Sequence, residues 1–252
     1  MDNKILSTLV YKSWLETRWR FFAGLFLLIS ISVYAVFRAA DIIQTREQFQ
    51  SGTRILYAQY IWILLHHGYL QVFWIFSALM LGMGGLWREQ ALGSARFTLS
   101  LPVKRRDLVW SRAFVGLTEL IFLAFVAPVI ISITSPLAGN TYPLGQSLLF
   151  AVLMFGGGLI FYGWGFLLSH LMQSEFSTPA IGVSTALIFY FITRFPQMDF
   201  INLFDLMSGK HYLNRTTFLL NDNFPWLSVF ISFLAAILII LLTGKVAETR
   251  DF

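Results

Sequence analysis

Six long apolar runs, separated by more polar stretches, constrain the fold of this chain more than any other feature. The runs occupy residues 21–37, 68–87, 113–134, 147–169, 179–193 and 226–243. A helix of about 20 apolar residues crosses the hydrocarbon core of a bilayer. Lipid offers no hydrogen bonds, so a helix lets such a run satisfy its own backbone. The pattern therefore predicts an all-α polytopic membrane protein with six transmembrane helices, in one transmembrane domain over residues 1–252.

Composition supports this class and excludes several others. Of the 252 residues, 57% are hydrophobic and 12% are charged, about half the charged fraction of a soluble domain. Cysteine is absent, which excludes disulfides, thiolate metal ligands and a cysteine nucleophile. The net charge of +5 does not indicate nucleic acid as a partner, because the basic residues lie beside the apolar runs.

The longest polar interruption, residues 88–112, lies between the second and third runs. It carries six basic residues against two acidic ones, and such loops face the cytoplasm. Pro102 suits the first turn of a short helix. That helix would have an apolar side of Leu101, Val103 and Leu108 and a charged side of Arg105, Arg106 and Asp107. The stretch is either a docking surface or a solvated basic loop.

Residues 1–20 carry too many charges for a span but have helical amphipathicity. We predict an amphipathic helix on the cytoplasmic surface, with a disordered basic tail as the alternative. In this arrangement twelve basic residues lie on the inner side and six on the outer side, which predicts cytoplasmic termini.

Two stretches outside the runs have mixed character. Residues 54–67 are apolar but contain Gln59, His66 and His67, so they form either an external interfacial helix or an extension of the next span. Residues 194–225 are an external segment too apolar for a plain linker, and we expect part of it to re-enter or skim the membrane.

Small residues mark the predicted helix contacts. Glycines 82, 84 and 85 end the second span, and glycines 156, 157, 158, 163 and 165 lie in the fourth. Small residues let membrane helices approach closely, so we interpret them as packing faces, with a substrate or flexing role as the alternative.

Few polar side chains interrupt the spans. Glu119 lies about two turns inside the third span, where it forms either a structural ion pair with Arg112 or a functional site. His66 and His67 have no evident third ligand, so we predict an interfacial pair and no metal site. Aromatic residues Phe73, Trp74, Phe76, Phe189 and Tyr190 either line a path for an amphipathic cargo or face lipid.

The basic stretch resembles a motif of a known family. Arg88-Glu89, Gly93-Ser94 and the run from Leu99 to Leu108 resemble the motif of the membrane subunit of type-2 ATP-binding-cassette (ABC) transporters, mostly exporters. Ser94 stands where that family usually has Thr, and Lys104 where it usually has Ser or Thr. The ending Arg250-Asp251-Phe252 and the six-span layout are also similar.

The resemblance implies that the transport path and ATP hydrolysis belong to different subunits. Family members pair two membrane subunits, of the same or different chains, with two cytosolic ATPase subunits. The loop after span two forms a coupling helix in an ATPase groove, here Arg88, Glu89, Gly93, Ser94, Leu101, Pro102, Val103, Arg105, Arg106, Asp107 and Leu108. The N-terminal helix corresponds to the family's elbow helix, and spans two and five of the two subunits face each other across the path.

The chain has no phosphate-binding loop, which fits a subunit that is not itself an enzyme. We expect no catalytic residue and no cofactor here, with ATP and Mg on the partner ATPase, in the inner membrane of a bacterium. Two rival functions remain: an anchor or signalling partner of an ABC ATPase, and a lipid-modifying enzyme. The enzyme would need clustered acidic, His or Ser side chains at an interface, and the inner loops show none.

Overall fold

The protein is an all-α bundle in the computed structural model, which describes residues 3–49, 55–83, 105–172 and 177–249. Within these residues the α-helices are α1 (Asn3–Phe37), α2 (Ala39–Phe49), α3 (Tyr57–Ile61), α4 (Tyr69–Gly82), α5 (Arg105–Thr134), α6 (Leu144–Leu171), α7 (Ser177–Ile192), α8 (Leu203–Ser208) and α9 (Trp226–Thr249). Short 3₁₀ helices cover Ser135–Ala138, Pro196–Ile201 and Lys210–Tyr212. The described residues contain no strand beyond an isolated bridge between Leu213 and Leu220, which confirms the predicted all-α class.

Five helical stretches in the described part of the chain are long and apolar enough to cross a membrane. They are Ser7–Phe37, Tyr57–Gly82, Arg106–Ala138, Leu144–Leu171 and Trp226–Ala247. The fifth predicted span corresponds to α7, whose 16 residues extend about 24 Å. That is shorter than the roughly 30 Å hydrocarbon core, so a sixth crossing stays a prediction.

The first helix is continuous where the sequence predicted a boundary. Residues Asn3–Phe37 form one helix, with no break between the predicted surface helix and the first span. Ser13 Oγ donates to the Leu9 carbonyl at 2.9 Å, and no Gly or Pro lies between residues 3 and 23 to interrupt the ladder. The position of residues 1–20 relative to a bilayer stays a prediction.

The second span begins earlier than the apolar run indicated, at Tyr57 rather than residue 68. A π-helical turn, Trp62–His66, joins α3 to α4, and the His67 amide donates to the Trp62 carbonyl at 2.8 Å. The π turn inserts one extra residue, and a two-residue turn at His67 and Gly68, where Gly68 has non-helical backbone angles, then leads into α4. Residues 57–67 are therefore an extension of the span and not a separate interfacial helix.

Glycines bring α4 and α6 into backbone contact. A Cβ at Gly165 would lie 2.7 Å from the Leu79 carbonyl oxygen, and one at Gly82 would lie 2.8 Å from the Phe166 nitrogen. Trp74 is fully buried at this interface, and its Nε1–H donates to a carbonyl of α6 at 2.8 Å. The interpretation of these glycines as a packing face is confirmed for Gly82 and Gly165.

The segment before α9 folds back into the bundle. In α8, Met207 is fully buried against Gly157, which lies near the middle of α6. Gln71 donates to the Phe204 carbonyl, and Trp62 Nε1–H donates to the Ser208 carbonyl at 2.7 Å. Helix α8 therefore lies against α4 and α6, and whether this part of residues 194–225 re-enters or skims the membrane stays a prediction.

Candidate transport groove and coupling end

The coupling motif ends inside the long helix α5. Its residues Arg105, Arg106, Asp107 and Leu108 form the start of α5 as described. Leu108 is buried, whereas the Arg106 side chain is exposed. The other predicted coupling residues, Arg88, Glu89, Gly93, Ser94, Leu101, Pro102 and Val103, lie outside the described residues. The observed end of the motif is thus continuous with a membrane helix.

Polar side chains join the first turns of α5 to α1. The Arg112 guanidinium donates to Glu16 at 3.0 Å, and the Arg112 side chain is only 9% exposed. About two turns further along α5, Glu119 Oε1 accepts a hydrogen bond from Thr17 at 2.5 Å, and both residues are buried. These two bonds fix the relative position of α1 and α5 over about two helical turns.

The predicted ion pair between Glu119 and Arg112 is wrong. Arg112 pairs with Glu16, and Glu119 accepts from Thr17. Seven residues separate Glu119 and Arg112 on one helix, a rise of about 10 Å, so α1 provides the nearer partners. The described residues provide no hydrogen-bond partner for Glu119 Oε2. Sequence reasoning had no signal for these partners, which lie about one hundred residues away.

A groove of about 600 Å³ lies between α4 and α7. Its walls are apolar and include Val72, Phe76 and Leu187. Its polar end is formed by Arg46, His67, Gln71 and Tyr190, with Phe204 of helix α8 at the side. An apolar cleft with a few polar groups at one end has the composition of a small-molecule site.

The groove contains two of the five aromatic residues predicted for a path. Phe76 and Tyr190 line it. Trp74 is buried in the contact with α6, and Phe73 packs against the core. Phe189 faces the other side of α7 and lines a second cavity of about 660 Å³.

The groove residues that sequence reasoning did not assign to a path are Arg46, His67, Gln71 and Phe204. Gln71 is a polar residue inside an apolar run, and this is the one feature of the sequence that could have indicated its place in the groove. Arg46 belongs to α2 and Phe204 to α8, and only the fold brings these residues to the groove beside α4.

The adjacent histidines point in different directions, as two successive helical residues must. His66 is fully buried and stacks on Phe150, with ring centroids 4.0 Å apart. His67 stacks on Trp62 at 5.2 Å and also lines the groove. The described residues contain no group of three or more His, Cys, Asp or Glu side chains that would hold a metal ion.

Comparison with known proteins identifies the family. A family model described as "ABC-2 family transporter protein" matches residues 40–246, which is most of the chain. The protein belongs to the ABC-2 transporter family. The resemblance seen at Arg88–Leu108 is thereby confirmed. No curated protein and no solved structure matches the chain significantly.

Family membership assigns a general role to the protein. This ABC-2 protein is a multi-pass membrane component of an ABC transporter. The matched region contains α4, α5 and α7, so both the groove and the start of α5 lie inside the family domain. The groove is therefore the candidate path, and the start of α5 is the candidate coupling end.

Proposed function

We propose that this protein is the permease subunit of an ATP-driven exporter, moved by a separate cytosolic ATPase that binds the loop after the second span. The observation that carries the proposal is that the motif residues Arg105–Leu108 and the third apolar run lie in one helix, which is described from Arg105 to Thr134. Its 30 residues extend about 45 Å, enough to cross a bilayer from a cytoplasmic contact.

Force on this end would reach the membrane as a rigid-body displacement. Packed helices switch between discrete arrangements and do not bend continuously. The bonds from Arg112 to Glu16 and from Thr17 to Glu119 tie α1 to α5. In the proposed mechanism, closure of the ATPase around ATP and Mg therefore displaces α1 and α5 together.

The groove between α4 and α7 is the proposed substrate path. Val72, Phe76 and Leu187 are 62%, 45% and 54% exposed on this face, an apolar surface suited to a second membrane subunit across the path. That subunit is either a second copy or a related chain. Both termini are placed in the cytoplasm, consistent with the basic loop and with the location of the ATPase.

The decisive test is a charge reversal at the start of α5. Arg105→Glu with Arg106→Glu should abolish coupling between ATP hydrolysis and transport in the complex reconstituted with its ATPase, while expression and folding stay unchanged. Arg215→Glu, an exposed charge in the external segment, is the matched control and should behave as wild type. Normal coupling in the double variant would overturn the proposed docking.

The same reconstitution separates transport from an anchoring role. An exporter moves cargo in vesicles only when ATP is present. An anchor or signalling partner would keep the ATPase bound and sensitive to the Arg105 and Arg106 changes but would move no cargo under either condition. That result would refute the exporter and leave the ATPase contact standing.

A further inference from the structure

We propose that the groove between α4 and α7 binds an anionic amphiphile, a molecule with one apolar chain and an anionic headgroup, as the cargo of this transporter. The proposal rests on the proposed function, because it names the class of molecule that the path accepts. It is based on the division of the groove into an apolar part and a cationic end.

The apolar part of the groove accommodates a hydrocarbon chain. Its wall on α4 carries Val72, Ile75 and Phe76, and its wall on α7 carries Val183 and Leu187. The volume of about 600 Å³ lies in the range of small-molecule sites, roughly 300–1,000 Å³. Lipid tails are as apolar as these walls, so the walls accept a chain but do not select its headgroup.

The polar end of the groove is cationic. Arg46 lines it with an exposed side chain, for which the described residues provide no carboxylate partner. The Arg194 guanidinium lies 4.5 Å from the ring centroid of Tyr190 and donates to its hydroxyl. Tyr190 lines the groove, so this second cation is held at the same end.

The carboxylates near this end are already engaged. Asp205 is 3% exposed and pairs with Lys210 at 2.7 Å, so its charge is compensated. Glu47, next to Arg46, accepts from the Ile55 amide at 2.8 Å and keeps its charge. The two guanidinium groups of Arg46 and Arg194 still exceed this one carboxylate, so the polar end of the groove has a net positive charge.

This charge selects the headgroup. Guanidinium groups bind carboxylates, phosphates and sulfates through paired, charge-assisted hydrogen bonds. Gln71 and His67 add neutral polar groups beside them. A cationic amphiphile of the same chain length would meet like charges at the mouth and would be excluded.

A binding measurement on the purified permease in nanodiscs of zwitterionic phosphatidylcholine tests the proposal. The probes are dodecyl phosphate and dodecyltrimethylammonium, which share a chain and differ in the sign of the headgroup. Dodecyl phosphate should bind at least about tenfold more tightly, as expected for a charge-assisted bond. Equal affinity for the two probes would overturn the proposal.

Variants locate the site. Arg46→Gln should weaken dodecyl phosphate binding about tenfold, because it removes one charge-assisted contact. Arg194→Gln should do the same, and Arg194→Lys should restore most of the affinity by returning the charge. Arg215→Gln, in the same external segment but outside the groove, is the control and should bind normally. Unchanged binding in both Arg46→Gln and Arg194→Gln would overturn the assignment.

Competition identifies the source of the headgroup. Inorganic phosphate should not displace dodecyl phosphate at equal concentration, and complete displacement would overturn the requirement for a chain. Replacing part of the phosphatidylcholine by phosphatidylglycerol should compete if a bilayer lipid is the natural cargo, whereas no competition assigns the site to a free single-chain amphiphile. The measurement uses no ATP, so its failure is distinct from a failure of coupling in the reconstituted exporter.

Discussion

A single methyl group at position 165 is predicted to separate helices α4 and α6, whose backbones are in direct contact. In Gly165→Ala the new Cβ would lie 2.7 Å from the Leu79 carbonyl oxygen and 3.3 Å from the Leu79 Cα. Non-bonded heavy atoms pack at about 3.5 Å, so α4 and α6 must move apart by about 0.8 Å. The opposing atoms belong to the backbone and cannot rotate away.

The change in the free energy of unfolding caused by Gly165→Ala combines two opposing contributions. Overpacking a tight interface costs typically 1–3 kcal/mol, and a backbone clash lies at the upper end of that range. Replacing Gly by Ala inside a helix gains about 1 kcal/mol in helix propensity. The difference is a loss of roughly 2 kcal/mol in the free energy of unfolding.

The control lies two residues away on the same helix. A Cβ at Gly163 would be 3.5 Å from both the Ala236 carbonyl oxygen and the Ile239 side chain, which is ordinary contact. Gly163→Ala should therefore be neutral or stabilising by up to about 1 kcal/mol. Reversible unfolding by SDS in mixed micelles, followed by circular dichroism, measures both variants. If Gly165→Ala were as stable as Gly163→Ala, the backbone contact between α4 and α6 would be refuted.

Two further predictions concern the joint between α1 and α5. Thr17→Val keeps the shape of the side chain but leaves buried Glu119 without its hydrogen bond. The free energy of unfolding should therefore fall by about 1–3 kcal/mol in the same titration. Thr17→Ser, which keeps the hydroxyl, should restore the stability. A stable Thr17→Val protein would contradict the bond. The hydroxyl oxygens of Ser13 and Ser111 lie 3.3 Å apart, so a cysteine at each position should form a disulfide on oxidation in this cysteine-free chain. If α1 and α5 move together, ATP-coupled transport survives this cross-link, and its loss on oxidation but not in either single variant would refute a common displacement.

The helices were predictable because their signals are local. Apolar runs long enough to cross a bilayer gave the spans, and helix α5 ends at Thr134, where the third run was predicted to end. The basic stretch from Arg88 to Leu108 indicates the family by its residue order alone. These features depend on residues close together in the chain, whose identities the sequence states directly.

The start of the second span was not predictable in this way. The adjacent residues His66 and His67 indicated a position at the membrane–water interface. In the structure, however, His66 is buried and stacks on Phe150 of α6. The ring that covers His66 comes from more than eighty positions later in the chain. A single sequence carries no record of that contact.

The candidate site shows the same limit. Tyr190 and Phe76 were nominated for their aromatic character, which is a property of each residue alone. Arg46 joins them only because α2 folds back onto α3, which precedes α4 in the chain, and Gln71 donates a hydrogen bond to the carbonyl of Phe204. The cationic end of the groove therefore required the fold, since it combines residues from several elements.

Helix α7 stands between two cavities and has little attachment to its surroundings. Of its sixteen described residues, just Thr178 and Gly182 are buried. Substitutions along the rest of this helix would change the lining of both chambers while removing few stabilising contacts. Under the proposed function, substitutions in this helix would therefore change cargo selectivity and leave the rest of the bundle intact.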